Sequence, residues 1–93
     1  PYMWVCKGHY YSSGLSYYNF PYAFGNLFAL GLYSLYKKEG EAFVPKYNKM
    51  LASTGCHSIE EVAATMGIDV TKPDFWRSSL KLIEAEVEEF CAL

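Results

Sequence analysis

The sequence predicts an all-α fold of about four helices. Its apolar residues recur three and four positions apart, and no segment alternates apolar and polar residues as a half-buried strand does. Glycines and prolines fall between these segments, at positions that suit the ends and the starts of helices. We therefore expect residues 1–93 to form one helical region, with only loop or a short helical turn before residue 19.

The first helix is expected between Asn19, a favourable N-cap residue, and Gly40, a residue type that commonly ends helices. Pro21 suits its first turn, where no backbone N–H is needed. The helix is apolar nearly all round, and such a helix is normally buried on every side. Gly25 and Gly31 each weaken it by roughly 1 kcal/mol relative to Ala, which favours a close approach by a neighbour at both positions.

Two shorter helices are expected to follow. The first covers residues 41–53, with Pro45 in its first turn. Its inner face is expected to contain Phe43, Val44, Tyr47, Met50 and Leu51. The second starts at Ser58, which is expected to form a capping box with Glu61, and it is expected to end at Met66 with Gly67 in the C′ position.

The last helix is expected to run from Pro73 to about Cys91. Its apolar residues follow spacings of four, three, four and three, which is typical of one buried stripe. The stripe consists of Trp76, Leu80, Ile83, Val87 and Phe90. The opposite face is acidic and is expected to be solvated; it contains Glu84, Glu86, Glu88 and Glu89.

Composition and charge narrow the class of protein. The chain is 52% hydrophobic and has a net charge of -2, which argues against nucleic acid and against an anionic membrane as partners. Cys6, Cys56 and Cys91 have neither CxxC nor zinc-ligand spacing, so we expect reduced thiols in a cytoplasmic protein. No signal-peptide pattern opens the chain. Because Pro1 opens a segment with the composition of structured sequence, we expect a piece of a longer protein.

A membrane-spanning helix is the main alternative for residues 20–36. A run of about 17 apolar residues is near the lower limit for a span. Asn26, Ser34 and the absence of positively charged residues just before the segment favour a helix that is buried in protein instead.

The stretch from His9 to Tyr36 is the most informative part of the sequence. After His9 it contains no Asp, Glu, Lys or Arg. Five of the nine tyrosines precede its apolar run, namely Tyr10, Tyr11, Tyr17, Tyr18 and Tyr22. Burying a tyrosine hydroxyl without a partner costs roughly 1–3 kcal/mol. Packing is the common role of such residues, but several hydroxyls crowded beside one imidazole suggest hydrogen-bond donors for a substrate.

These residues resemble the C-terminal end of oligoendopeptidase F, a zinc metallopeptidase of the thimet-oligopeptidase group. The resemblance rests on His9 and the tyrosines, on YNFPYAFGNLFALGLYSLY, and on the closing TGCHSIEEVAATMGIDVTKPDFWRSSLKLIEAEVEEF. It covers essentially the whole chain, and its first part is the more specific. It implies the C-terminal helical segment of a larger all-helical enzyme that hydrolyses short peptides in an enclosed cleft.

The resemblance also implies roles for individual residues. Tyr22 matches the donor that stabilises negative charge on the oxygen of the peptide carbonyl. His9 and Tyr18 match residues that bind the substrate backbone and assist at that carbonyl. Tyr17 and Tyr10 are further substrate-binding candidates.

The zinc ligands of that family are absent from this sequence. The family binds zinc through an HExxH motif and a downstream glutamate, whereas His9 and His57 here are far apart and belong to no such motif. The resemblance therefore implies zinc bound by residues outside this chain, and a chain that is inactive alone. Its partners would be short peptides and the remainder of the peptidase domain. The alternative is a non-catalytic helical module whose apolar helix docks on a partner; self-association fits both interpretations.

Overall fold

The computed structural model describes all residues from 1 to 93. Most of the chain lies in four α-helices: α1 (Phe20–Glu39), α2 (Phe43–Ser53), α3 (Ile59–Ala64) and α4 (Pro73–Ala92). Short 3₁₀ helices occupy Met3–Cys6, Gly8–Tyr10 and Gly40–Ala42. There are no strands, so the predicted all-α fold of about four helices is confirmed.

Helix α1 starts where the sequence predicts, but Asn19 does not cap it with its side chain. The Asn19 backbone, with φ of -105° and ψ of -13°, is close to helical, whereas a side-chain cap normally requires an extended residue. Its carbonyl oxygen accepts a hydrogen bond from the N–H of Ala23 at 3.2 Å. Asn19 is thus the N-cap residue as predicted, but its side chain makes no capping hydrogen bond, and Pro21 lies in the first turn as predicted.

Glycine ends α1, and a proline lies at the start of α2. Gly40 has a φ of 64°, in the left-handed region that glycine adopts without steric cost. Helix α2 begins at Phe43, slightly later than the sequence predicts. Pro45 consequently falls in the first turn of α2, where its missing N–H breaks no helical hydrogen bond.

Both ends of α3 follow the local sequence signals. The Ser58 hydroxyl accepts from the Glu61 N–H at 3.3 Å, and the Glu61 carboxylate accepts from the Ser58 N–H at 2.9 Å. At the other end the N–H of Ile68 donates to the Ala63 carbonyl oxygen at 3.1 Å, as in a Schellman motif around Gly67. Gly67 has a φ of 72°. The predicted capping box is confirmed, whereas α3 ends at Ala64, two residues before the predicted end at Met66.

Helices α1 and α4 pack most closely where Gly31 meets Phe75 and Ser79. A Cβ atom on Gly31 would lie 2.3 Å from Phe75 Cζ and 2.9 Å from Ser79 Oγ, so a larger residue would have to displace α4. The buried Ser79 hydroxyl donates to the Leu27 carbonyl oxygen at 2.7 Å. The predicted close approach is confirmed at Gly31 and is wrong at Gly25, where nothing lies within 4 Å.

The buried core is small and involves α1, α2, α3 and the turn after α3. It consists of Leu32, Phe43, Met50, Val62, Ala63 and Ile68. Of the predicted inner face of α2, only Phe43 and Met50 are buried. Val44, Tyr47 and Leu51 are exposed, and the first two line a cleft that no other helix of the chain fills.

Helix α4 turns a different face toward α1 than its sequence predicts. Phe75 and Ser79 make the contact, because the absent side chain at Gly31 leaves space for them. Trp76 and Ile83 of the predicted stripe are half-buried. The prediction is wrong for the exposed members of the stripe, which are Leu80, Val87 and Phe90.

The chain forms a flat body of 43 × 42 × 21 Å. Its radius of gyration is 16.2 Å, whereas a compact domain of this length has about 12 Å. Its accessible surface is 7263 Å², whereas a compact monomer of this mass exposes about 5,500 Å². Only Gly31 and Leu32 of α1 are buried, so the prediction of burial on every side is wrong within this chain. None of the helices has the length and apolar character that a membrane crossing requires.

Candidate functional site

Three of the five predicted site residues lie together at the N-terminal end of α1. The imidazole of His9 stacks on the ring of Tyr22, with 5.3 Å between ring centres and 26° between ring planes. Tyr18 meets both rings edge-on, 6.0 Å from His9 and 6.4 Å from Tyr22. We call His9, Tyr18 and Tyr22 the aromatic cluster.

Backbone hydrogen bonds bring the two parts of the aromatic cluster together. His9 lies in the 3₁₀ helix Gly8–Tyr10, and the chain then loops back to α1. The N–H of Tyr18 donates to the His9 carbonyl oxygen at 2.7 Å and to the Leu15 carbonyl oxygen at 3.1 Å. Tyr22 lies in the first turn of α1, four residues after Tyr18, so both rings lie on the same side as His9.

The hydroxyls of the aromatic cluster are open to solvent. Tyr22 is 61% exposed and Tyr18 is 39% exposed, while His9 is half-buried. Neither Tyr18 nor Tyr22 donates its hydroxyl to another group of the chain, in contrast to Tyr11, which donates to the Val5 carbonyl oxygen. Both hydroxyls are thus free to bind a molecule from outside.

Tyr17 and Tyr10 lie outside the aromatic cluster. Tyr17 is 73% exposed and has a φ of 57°, a left-handed conformation that costs a non-glycine residue roughly 1–2 kcal/mol. Tyr10 packs edge-on against Trp4 with 6.5 Å between ring centres. The structure thus separates both residues from the rings with which the resemblance groups them.

Phe20 extends the aromatic cluster, and the sequence pattern did not single it out. Its ring meets that of Tyr18 edge-on at 6.0 Å, and the side chain is exposed. The sequence offered one signal for including Phe20 in the site. It lies between the tyrosines and Pro21, where α1 begins. Phe20 adds an apolar wall beside hydrogen-bonding groups, as binding sites for small molecules commonly have.

The N-terminal end of α1 contributes positive electrostatic potential to the site. The first N–H groups of a helix have no intrahelical acceptor, and the helix dipole places partial positive charge there. Asn19 provides no side-chain acceptor for these groups. Tyr22 lies within this first turn, so negative charge that develops near its hydroxyl would be stabilised.

The two carboxylates with shifted pKa values belong to turns elsewhere in the fold. The Ser58 N–H lowers the pKa of Glu61 below its ordinary value of 4.5, with smaller contributions from the Ser58 hydroxyl and from His57. The Thr71 hydroxyl and N–H lower the pKa of Asp69 below 3.8. The hydrogen bonds that cause both shifts stabilise local turns, and these turns lie outside the aromatic cluster.

A second concave surface lies between α1 and α2. It is a cleft of about 410 Å³ lined only by hydrophobic residues. They are Ala29, Leu32, Tyr33, Tyr36, Phe43, Val44 and Tyr47. We call this surface the α1–α2 cleft; it has no group that could transfer a proton near neutral pH, so it suits binding rather than catalysis.

The chain has no metal site of its own. No group of three or more His, Cys, Asp or Glu side chains is arranged to hold a metal ion. His57 lies beside Glu61, 3.7 Å from its carboxylate, and not with His9 in the aromatic cluster. Zinc therefore does not fit the residues present here. Comparison of the chain with protein-family models, with curated protein sequences and with solved structures gave no match.

Proposed function

We propose that this chain is the C-terminal part of a zinc metalloendopeptidase that hydrolyses short peptides, as in oligoendopeptidase F. The observation that supports the proposal best is the convergence of His9, Tyr18 and Tyr22 at one end of α1. These are the three residues to which the resemblance assigns the strongest roles, and they come from separate segments of the chain.

The chemistry of the aromatic cluster suits the carbonyl of a peptide bond. When a nucleophile adds to that carbonyl, negative charge builds on its oxygen, and donors already in place stabilise the charge. The Tyr22 hydroxyl, which has no acceptor within the chain, would donate to this oxygen. The positive end of α1 would stabilise the same charge.

His9 and Tyr18 would position the substrate. The ring of His9 is fixed by its stack on Tyr22, and its ring nitrogens can donate to or accept from a peptide backbone. The Tyr18 ring meets the His9 ring edge-on at 6.0 Å, and its hydroxyl would donate to a second carbonyl. Such a set orients a substrate by its backbone, so it fits peptides of varied sequence.

In this proposal, residues outside this chain bind the zinc. Zinc would supply the activated water and polarise the carbonyl, as in other zinc hydrolases. The 93 residues would therefore be inactive alone and would require the remainder of the peptidase domain. A cytoplasmic location agrees with the free and exposed Cys6, Cys56 and Cys91.

A non-catalytic interaction module is the second candidate. Its docking surface would be the α1–α2 cleft, which is lined only by hydrophobic residues. In that case the aromatic cluster would be a packing surface, and zinc would have no effect on the protein.

The experiment that separates the two candidates isolates, from the cells that make it, the species containing these residues. Its intact mass, its zinc content and its hydrolysis of short peptides are measured on one sample. We expect a mass well above 10.6 kDa, stoichiometric zinc and hydrolysis. A homogeneous metal-free species of 10.6 kDa without hydrolysis would overturn the peptidase proposal and favour the module.

A further inference from the structure

Phe20 differs from the other phenylalanines of α1 in what it packs against. Phe24 and Phe28 pack against aromatic rings of α4, at 5.1 Å and 5.5 Å between ring centres, so both help to join the two helices. The ring of Phe20 meets that of Tyr18 alone among the aromatic rings, edge-on at 6.0 Å, and its side chain is 68% exposed. Phe20 therefore belongs to the candidate site and not to the packing of α1 on α4.

Three rings at the N-terminal end of α1 form a row, with Tyr18 between Tyr22 and Phe20. The Tyr18 ring centre is 6.4 Å from that of Tyr22 and 6.0 Å from that of Phe20, whereas Tyr22 and Phe20 do not pair with each other. An extended peptide advances about 6.4–6.8 Å for every two residues, so the row has nearly the repeat of such a peptide. A peptide whose cleaved carbonyl lies at Tyr22 would thus reach Phe20 within about four residues.

The segment around Phe20 contains no charged side chain. Between His9 and Lys37 there is no Asp, Glu, Lys or Arg. A charged residue of the substrate would lose hydration beside Phe20 and gain no ion pair from this segment, whereas an apolar residue would remove apolar surface from water. An aromatic residue would gain most, because its ring can meet Phe20 edge-on as Tyr18 does.

We propose that Phe20 determines substrate specificity by contacting an apolar side chain of the peptide, about two to four residues from the bond that is cleaved. This role rests on the proposed function, which places substrate, and not the remainder of the domain, over the aromatic cluster. It adds a side-chain preference to recognition that otherwise depends on the peptide backbone. At one position remote from the cleaved bond, aromatic residues are preferred over alanine, and charged residues are not.

The test measures kcat/KM of the zinc-loaded peptidase that contains this segment, with peptides of one length. The peptides differ at a single position, which contains Phe, Ala or Asp and is moved through the second to fourth residues on each side of the cleaved bond. Mass spectrometry identifies the bond that is cleaved, so that a shifted cleavage site is not mistaken for a preference. We expect one position at which Phe is preferred over Ala by about 2–12-fold, the contribution of one aromatic pair.

Variants of Phe20 show whether its ring is the source of this preference. Phe20→Ala removes the ring and should abolish the preference, whereas Phe20→Tyr keeps the ring and should retain it. Tyr2→Ala is the matched control, because Tyr2 is exposed and lies outside the candidate site, and it should keep the wild-type preference. Zinc content and circular dichroism verify that all variants are loaded and helical.

The ratio of kcat/KM between the Phe and Ala peptides separates contact with substrate from support of Tyr18. If Phe20 only held Tyr18 in place, Phe20→Ala would slow hydrolysis of all peptides by the same factor and leave the ratio unchanged, which would overturn the proposed role. A wild type that hydrolyses the peptides without preferring Phe at any of these positions would overturn it too, with the peptidase function intact. A wild type with full zinc that hydrolyses none of the peptides would overturn the peptidase proposal itself, and the role of Phe20 with it.

Discussion

Gly31 of α1 lies directly against Ser79 of α4, so closely that a Cβ atom on Gly31 would be 2.9 Å from the Ser79 hydroxyl oxygen. That hydroxyl in turn donates to the Leu27 carbonyl oxygen of α1. The missing side chain on one helix and the small polar side chain on the other allow the two backbones to approach. This contact positions α1, and with it the aromatic cluster at its N-terminal end.

We expect Gly31→Ala to destabilise the chain. The new methyl group would overlap the ring of Phe75, and over-packing of this kind typically lowers the free energy of unfolding by about 1–3 kcal/mol. Gly25→Ala on the same helix is the matched control, because it meets no neighbour and should stabilise α1 by up to about 1 kcal/mol. Urea unfolding followed by circular dichroism measures both. A Gly31→Ala variant as stable as Gly25→Ala would contradict the observed packing.

Ser79→Ala should also destabilise the chain, but for a different reason. It removes a buried hydrogen bond to the Leu27 carbonyl oxygen, and such a bond contributes about 0.5–1.5 kcal/mol. Ser78→Ala is the control, since the Ser78 hydroxyl bonds within its own helix, to the Phe75 carbonyl oxygen. The same unfolding experiment applies. Equal stability of the two variants would mean that the bond between the helices contributes nothing.

The capping box of α3 makes stability depend on pH. The pKa of Glu61 is lowered in the folded chain, so the unfolded chain binds more protons over the interval between the two pKa values. The stabilisation is therefore present above pH 4.5 and is lost as the pH falls through the lowered pKa. We expect the Tm to fall on acidification below pH 4.5, with Asp69 adding to the fall at still lower pH.

Glu61→Gln isolates this contribution. The variant should lose part of the fall in Tm between pH 5 and pH 3, because glutamine does not titrate. Glu60→Gln removes a neighbouring charge of the same turn that is not part of the capping box, and it should keep the full fall. If both variants followed the wild-type curve, Glu61 would not be the responsible group.

Local signals in the sequence were sufficient to predict most helix ends. Gly40 ends α1 and Gly67 lies in the turn that follows α3, and each adopts a positive φ. Ser58 and Glu61 start α3 because they satisfy each other's N–H groups. These interactions span a few residues and need no knowledge of the fold. The exception is Asn19, whose side chain could cap α1 but whose backbone is held near the helical region.

The face that α4 buries could not be predicted from α4 alone. Counting apolar residues favoured Leu80 over Ser79, yet Ser79 is fully buried and Leu80 is exposed. The buried face is determined by Gly31 on another helix, where the space for Phe75 and Ser79 exists. Spacing within one helix does not contain that information.

The sequence predicted which residues could form the candidate site, but not which of them lie together. Tyr18 lies in the turn just before α1 and Tyr22 in the first turn of α1, so the short stretch of chain between them already predicts that the two rings are near each other. The return of the chain to His9 depends on hydrogen bonds across the loop and on the positive φ of Tyr17, which no residue preference predicts for tyrosine. Tyr10 was consequently grouped with the aromatic cluster, whereas its ring packs against Trp4.

Tyr18→Phe should weaken substrate binding in the zinc-loaded peptidase that contains this segment. Loss of one neutral hydrogen bond to the peptide backbone should raise KM by about 2–12-fold, with kcat nearly unchanged, if the bond is equally strong in substrate and transition state. Tyr2→Phe is the control, because Tyr2 is exposed near the N-terminus and belongs to no aromatic pair. A KM equal to that of Tyr2→Phe would remove Tyr18 from the substrate-binding set.

The central claim is that the Tyr22 hydroxyl stabilises the transition state of peptide hydrolysis. The most direct test measures kcat of Tyr22→Phe in the same zinc-loaded peptidase, with zinc content determined on the same sample and Tyr2→Phe in parallel. Loss of one donor to the developing oxyanion predicts a kcat lower by about 10²–10³-fold with zinc retained. A Tyr22→Phe enzyme with full zinc and a kcat equal to that of Tyr2→Phe would contradict the account.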